Sequence, residues 1–465
     1  MKRWIAAGIL ALALTGCSRY EPSQEMTRAE DSLTQPETAE ESGTQAAEAA
    51  DSEVITISSY PPRNPVKVKG IYVSAYVAGT ADMLDKIIEE IDRTELNAVV
   101  IDVKDDQGRI TYAMDSPTVN EIGASQVFIK DMPALIAKLK EHGIYPIARV
   151  VAFRDPYLAE QKPEWSLHVA DGKIYRDNKG LAWVNPYKKE VWDYLLEVAR
   201  QAGEIGFEEI QFDYIRFAVD KTMQDVVFDE ADTLGRDKSQ AITEFVDYAY
   251  DELMKEGLFV SADVFGTIIG SEEDAAAVGQ EYEDMAEHLD YICPMIYPSH
   301  YGSGNFGIEY PDTKPYDTIL HALNGSEELL AASRKEDMPQ AVVRPWLQDF
   351  TASYLKHYIK YGDEQVRQQI QAVYDAGYDE WILWDAGVSY HYGGLLTPEE
   401  AAAEEEQIAQ SRAETEAGTE TGAGTETEAG TETEAGTEAG SGTEAGSGTE
   451  TVAGTETGAM LIEGR

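Results

Sequence analysis

Between residues 61 and 397, short apolar runs alternate with stretches of helical spacing, and this alternation constrains the fold more than any other feature of the chain. The runs are 68–76 (VKGIYVSAY), 98–104 (AVVIDVK), 145–153 (YPIARVVAF), 209–217 (EIQFDYIRF), 259–266 (FVSADVFG), 291–298 (YICPMIYP), 341–347 (AVVRPWL) and 380–386 (EWILWDA). They are dense in β-branched and aromatic residues and mostly apolar at both parities, the pattern of strands buried on both faces. The intervening stretches carry a helical period. In 82–93 the apolar set is Met83, Leu84, Ile87, Ile88 and Ile91; in 187–202, Val191, Leu195, Val198 and Ala202 share one face. Helices also read from Ser239 over 239–256 and from Asp363 over 363–376, with a weaker run over 397–411. Strand then helix, eight times over, predicts an α/β fold, a (β/α)8 TIM barrel. A doubly wound open sheet is the second choice, but neither GxGxxG nor GxxxxGK[ST] follows the first strand.

The flanks read differently. Residues 1–17, MKRWIAAGILALALTGC, place Lys2 and Arg3 before an apolar stretch too short to span a bilayer. Leu14-Thr15-Gly16-Cys17 resembles a bacterial lipobox, which implies a lipoprotein signal peptide over 1–17 and a lipid on Cys17. Residues 18–60 are rich in Glu, Ser, Thr, Ala and Gln, a composition that cannot offset chain entropy, so they read as a disordered tether. Residues 398–465 read as a helical run and then an acidic low-complexity tail of Ala-Gly-Thr-Glu units with nothing to pack. The expected location is therefore extracytoplasmic, on the bacterial cell membrane, with the membrane as a partner through that anchor.

Charge narrows the function. Lys and Arg total 37 against 86 Asp and Glu, a net charge of −49, which argues against nucleic acid as a partner. Two cysteines exclude a disulfide scaffold and a Cys-rich zinc site, and seven histidines include no HExxH pair, so no zinc hydrolase site is expected. Cys293 reads as a small buried apolar residue.

The informative positions are polar residues inside apolar runs: Asp102, Arg149, Asp213, Arg216, Asp263, Tyr297, Arg344, Trp346, Trp384 and Asp385. Carboxylates are seldom buried without a partner or a task. In a barrel these Asp residues converge at the carboxyl ends of the strands, the face that carries active sites, and Arg149, Arg216 and Arg344 are placed to keep some of them ionised. Glycoside hydrolysis needs that arrangement: one carboxyl gives a proton to the leaving oxygen and another, ionised, faces the positive charge that develops on the sugar. Asp213 is assigned the ionised role, as nucleophile or base, and Asp263 the acid role. Asp102, Arg149, Arg216, Tyr297, His300, Trp346, Trp384 and Asp385 are assigned to substrate binding, the rings by stacking on sugar faces.

At these residues the sequence resembles a family of bacterial glycoside hydrolase domains first catalogued as a domain of unknown function. The resemblance spans roughly 66–396 and is carried by VKGIYVSAY, VVIDVKDDQG, Ala148-Arg149-Val150, WVNPYKKEVWDYL, EIQFDYIRF, SADVFG, YICPMIYPSHY, VRPWLQDF and WILWDAG. It implies a TIM barrel distantly similar to the α-amylase clan, a carbohydrate substrate, no required metal or organic cofactor, and an activity largely inferred for the family. It also implies that the strand-four nucleophile corresponds to Asp213. The strand-five acid of that clan is Glu; the matching residue here is Asp263, one methylene shorter. The expected function is hydrolysis of an extracellular or cell-envelope polysaccharide, and the alternative is a glycan-binding barrel without catalysis.

Overall fold

The computed structural model describes residues 61–335 and 339–422. The expected signal peptide with Cys17, the tether over 18–60 and the tail beyond residue 422 lie outside the described residues. The chain divides into two units at Leu395/Leu396. In the second, the described part is one helix, Pro398–Gly422, opened by Thr397: its Oγ1 accepts from the Glu400 N–H at 3.3 Å, and its own N–H donates to Glu400 Oε2 at 3.0 Å.

The first unit is the barrel. Its strands are β1 (Lys69–Val73), β2 (Ala98–Lys104), β3 (Tyr145–Val151), β4 (Glu209–Asp213), β5 (Phe259–Phe265), β6 (Tyr291–Met295), β7 (Val342–Val343, resuming as Trp346–Gln348) and β8 (Trp381–Trp384). All neighbours pair in parallel, and β8 pairs back to β1 through Lys69↔Trp381 and Ile71↔Leu383, so the eight-stranded sheet closes. Every strand residue in β2, β3, β4 and β6 is buried, which explains the absence of period-two alternation in the sequence.

The helices follow the apolar periods. α1 (Ala81–Ile91) buries Leu84, Ile87, Ile88 and Ile91, whereas Met83 stays exposed. α2 (Met132–Glu141) follows β2, and α3 (Lys189–Glu204) buries the expected Val191, Leu195, Val198 and Ala202. α4 (Lys238–Met254) starts one residue before Ser239 because Asp237 caps it. Asp237 Oδ1 accepts from the Gln240 N–H at 2.9 Å while the Asp237 N–H donates to Gln240 Oε1 at 3.0 Å. After β5 come two short helices, α5 (Glu272–Val278) and α6 (Tyr282–Ala286); α7 (Pro315–Ser333) and α8 (Asp363–Asp375) follow β6 and β7.

The lumen is charged at its floor. Arg344 on β7 reaches Glu209 on β4, with Nη1 and Nη2 donating to its two oxygens at 2.6 and 3.1 Å, and Nε donates to Glu380 at 3.1 Å. β4 and β7 are not neighbours, so this bond crosses the barrel interior. Arg344 thus pairs with two glutamates, not with the mouth aspartates that sequence reasoning gave it. Cys293 is buried beside Gln211, whose Nε2 lies 3.5 Å from its sulfur.

One arginine cannot neutralise two glutamates. Burial pushes Glu380 up to about 7, against the pull of Arg344. A carboxyl whose folded value exceeds its unfolded one holds its proton better in the fold, so its contribution is full in acid and fades as pH rises through the folded value. The thermal midpoint is therefore expected to fall between pH 5 and pH 8. Glu380→Gln is expected to flatten that slope by an amount equivalent to about 3 kcal/mol. Thermal unfolding of both proteins across this range checks it.

Candidate active site

Arg149, on β3, organises the barrel mouth. The register Asp102↔Arg149 and Val151↔Asp213 sets an aspartate on each flanking strand within its reach. Nη1 donates to Asp102 Oδ1 at 2.6 Å, and Nε and Nη2 both donate to Asp213 Oδ2, at 2.9 and 2.5 Å. Nη2 also donates to Asp106 Oδ1 at 3.3 Å. Asp106 lies in the turn after β2 and is joined there by Arg154. Tyr72 on β1 completes the group, its hydroxyl donating to Asp102 Oδ2 at 2.6 Å. Three carboxylates thus meet two guanidiniums, leaving one negative charge in excess.

That excess is unevenly shared. Burial pushes Asp102 and Asp213 above the usual carboxylate range, against the pull of Arg149. Burial acts on Asp106 too, but Arg149 and Arg154 together hold it below its ordinary value. Carboxyls driven apart in this way are the raw material of acid and base division. Backbone strain marks the same place. Tyr214, directly after Asp213, has φ 51°, a left-handed conformation costly for a bulky residue. It lets the Tyr214 N–H donate to Asp213 Oδ1 at 2.6 Å, and the Arg154 guanidinium lies 3.6 Å above the Tyr214 ring.

The other expected residues fall around this cluster in different ways. Trp384 packs on Tyr72 with centroids 4.3 Å apart, and Trp346 meets Trp384 edge-on at 5.5 Å. Both indole Nε1 atoms are buried with no hydrogen-bond partner among the described residues. Asp263 is fully buried on β5, one step past the pairing Phe212↔Ala262 that aligns it with Asp213. Gln280 ties these two strand ends together, its Nε2 donating to the carbonyls of Ile215 and Asp263 at 3.2 Å. Arg216 turns toward Phe265 and Trp183 and donates to the Phe217 carbonyl at 2.9 Å. Tyr297 is fully buried, packed against His300 and Phe350, and burial lowers His300 to about 4. Asp385 accepts from the N–H groups of Gly387 and Ser389, at 2.7 and 3.2 Å, and so shapes the loop after β8.

Sequence reasoning missed Asp106, Arg154 and Tyr72. It also missed a pair at the β7–β8 edge of the mouth: buried Asp349, raised by burial to about 6, takes the His391 backbone N–H at 2.8 Å and faces its Nδ1 at 2.5 Å. For all but His391 the available signal was position, because Tyr72, Asp106, Arg154 and Asp349 lie at or just past the carboxyl end of a strand. Among the described residues no three His, Cys, Asp or Glu side chains converge as a metal site.

A closed barrel with a carboxylate cluster at this end is an arrangement that barrel glycoside hydrolases use. Residues 70–390 match the family described as "Putative glycosyl hydrolase domain", and the chain belongs to that family. Its enzymatic class is thus glycoside hydrolase. No curated protein matches the chain. Solved structures similar to it include a hypothetical protein from Ruminiclostridium thermocellum, at 38% identity over 42% of this chain and 96% of that one, TM-score 0.39. The PgaB (BpsB) glycoside hydrolase domain from Bordetella bronchiseptica matches at 13% identity over 69% of this chain and 94% of that one, TM-score 0.47. An α-galactosidase from Thermus thermophilus matches at 14% identity over 76% of this chain and 62% of that one, TM-score 0.41.

Removing the organising cation leaves Asp102, Asp106 and Asp213 with the single guanidinium of Arg154. Arg149→Met is expected to destabilise the barrel by about 3–5 kcal/mol at pH 7.5, less at pH 5, where Asp102 and Asp213 take up protons. Urea unfolding at the two pH values measures both the loss and its recovery in acid.

Proposed function

We propose that this glycoside hydrolase cleaves an extracellular or cell-envelope polysaccharide from a position on the bacterial surface. The observation that carries the chemistry is the Arg149 cluster: buried Asp102 and Asp213 and partly exposed Asp106, a carboxylate-rich group at the carboxyl ends of β2 and β4. Low dielectric makes such a charge effective against the positive charge that builds at the anomeric carbon. Asp213 is one of these carboxyls and is assigned the ionised role. The leaving oxygen needs a proton, and Asp263, level with Asp213 on the next strand, is assigned to give it. The rings of Trp346 and Trp384 offer faces and free indole N–H groups for a sugar, with Tyr297 and His300 in the loop after β6. Arg216 and Asp385 shape the neighbouring walls.

The surface location is supported by Lys2-Arg3, the short apolar stretch and the Leu14-Thr15-Gly16-Cys17 ending. A lipid on Cys17 and an acidic, low-hydropathy tether would hold the barrel clear of the membrane.

Two measurements test this. Residues 61–411, incubated with purified envelope polysaccharides, are expected to shorten at least one of them. Asp213→Asn and Asp263→Asn are each expected to slow cleavage by about a hundredfold or more while glycan is still bound. Binding by all three proteins with cleavage by none would instead point to a glycan-binding barrel. For the anchor, Cys17→Ser is expected to move the full chain from the membrane fraction to the soluble one. Unchanged fractionation would remove the lipid from the proposal.

A further inference from the structure

Of the three carboxylates around Arg149, only one is open. Asp213 has a side-chain exposure of 2%, and both its oxygens are engaged, Oδ2 by two N–H groups of Arg149 and Oδ1 by the Tyr214 N–H. Asp102 is 7% exposed, with one oxygen on Arg149 and the other on the Tyr72 hydroxyl. Asp106 is 21% exposed. Its Oδ1 takes the N–H groups of Arg149 and Arg154, and its Oδ2 has no hydrogen-bond partner among the described residues. The same two arginines hold its carboxyl ionised.

The turn that carries Asp106 is rigid. The Asp105 N–H donates to the Arg109 carbonyl at 2.9 Å, and Asp105 Oδ1 accepts from the N–H groups of Gln107 and Arg109, each at 2.9 Å. Gly108 closes it at φ +77°, so near Asp155 that a Cβ would lie 1.8 Å from that carboxylate. Asp155 is itself fixed by Lys104 at 2.7 Å. A carboxylate on a fixed turn, gripped through one oxygen and free at the other, is preorganised to meet charge without moving.

We propose that Asp106 is the carboxylate that faces the sugar's anomeric carbon, and that Asp213 is a positioning residue acting on it through Arg149. This rests on the glycoside hydrolase reading above. It assigns the exposed negative charge to the loop after β2 rather than to the end of β4.

The experiment uses the full barrel chain and a polysaccharide that the wild type cleaves, with sodium azide as an external anion. Asp106→Ala vacates the position opposite the anomeric carbon, and azide entering there can attack it. The N–C bond forms as the glycosidic C–O bond breaks, and the leaving oxygen takes a proton from the acid, giving a glycosyl azide. Asp106→Ala is expected to lose at least a hundredfold in kcat with KM within a few fold, and azide to restore at least tenfold with glycosyl azide as product. Asp213→Ala is expected to lose activity without azide rescue. Asp106→Asn, which keeps shape and the arginine contacts on Oδ1, is expected to fold with a melting temperature near that of the wild type and to lose kcat to a similar extent. Near wild-type activity of Asp106→Asn, rescue of Asp213→Ala in place of Asp106→Ala, or rescue of neither overturns the proposal. A wild type that cleaves no polysaccharide overturns the hydrolase reading itself, and this one with it.

Discussion

A closed barrel offers almost no water to the side chains inside it, so any charge that points inward must be paired there. The penalty for an unpaired buried ion is several kcal/mol, comparable with the whole stability of a domain. Two arginines meet this constraint at two depths. Arg344 binds Glu209 and Glu380 at the floor, and Arg149 binds Asp102, Asp106 and Asp213 at the mouth. Each gathers carboxylates from separate strands because a guanidinium is planar and carries five donors in a fixed fork, against three on a lysine ammonium.

The two layers share a chemistry and differ in access. At the floor, every group is sealed: Arg344 and Glu209 have no exposed side-chain surface. One arginine faces two glutamates there, and burial favours the protonated form of Glu380 against the pull of Arg344, a structural solution with no route to a ligand. At the mouth, the same mismatch is distributed over three carboxyls, one of which reaches the surface. The floor lies at the amino ends of the strands, the side of this fold that serves stability, and the mouth at the carboxyl ends, where loops can bring substrate.

This division also explains how much was legible in the sequence. The barrel was, because eight largely buried strands leave eight mostly apolar runs, and the helices between them keep their period. Asp102, Arg149, Asp213 and Arg344 stood out as polar residues within those runs, and three of the four do meet at the mouth. Arg344 was placed with the wrong partners because pairing across a barrel depends on register and depth, and neither is written in a run of apolar letters. Glu209 and Glu380 sit at the first residue of a strand or just before it, where a charge reads as a solvated boundary. Asp106 lies in the acidic turn Asp105-Asp106-Gln107-Gly108, whose sequence alone suggests only a bend, and His391 and Asp349 meet from two separate loops.

The aromatic wall beside the cluster follows from the same constraint. Tyr72 is bound to Asp102 through its hydroxyl and covered by Trp384 through its ring, and Trp384 in turn meets Trp346. These rings exclude water from one side of the carboxylates, which strengthens every ion pair there and raises the cost of leaving any charge unmatched. A ligand that develops positive charge at the open side relieves that excess, whereas a neutral ground state does so only weakly. An enclosed, net negative mouth therefore favours the charged transition state of glycosidic cleavage over its substrate, which is the differential binding that catalysis requires.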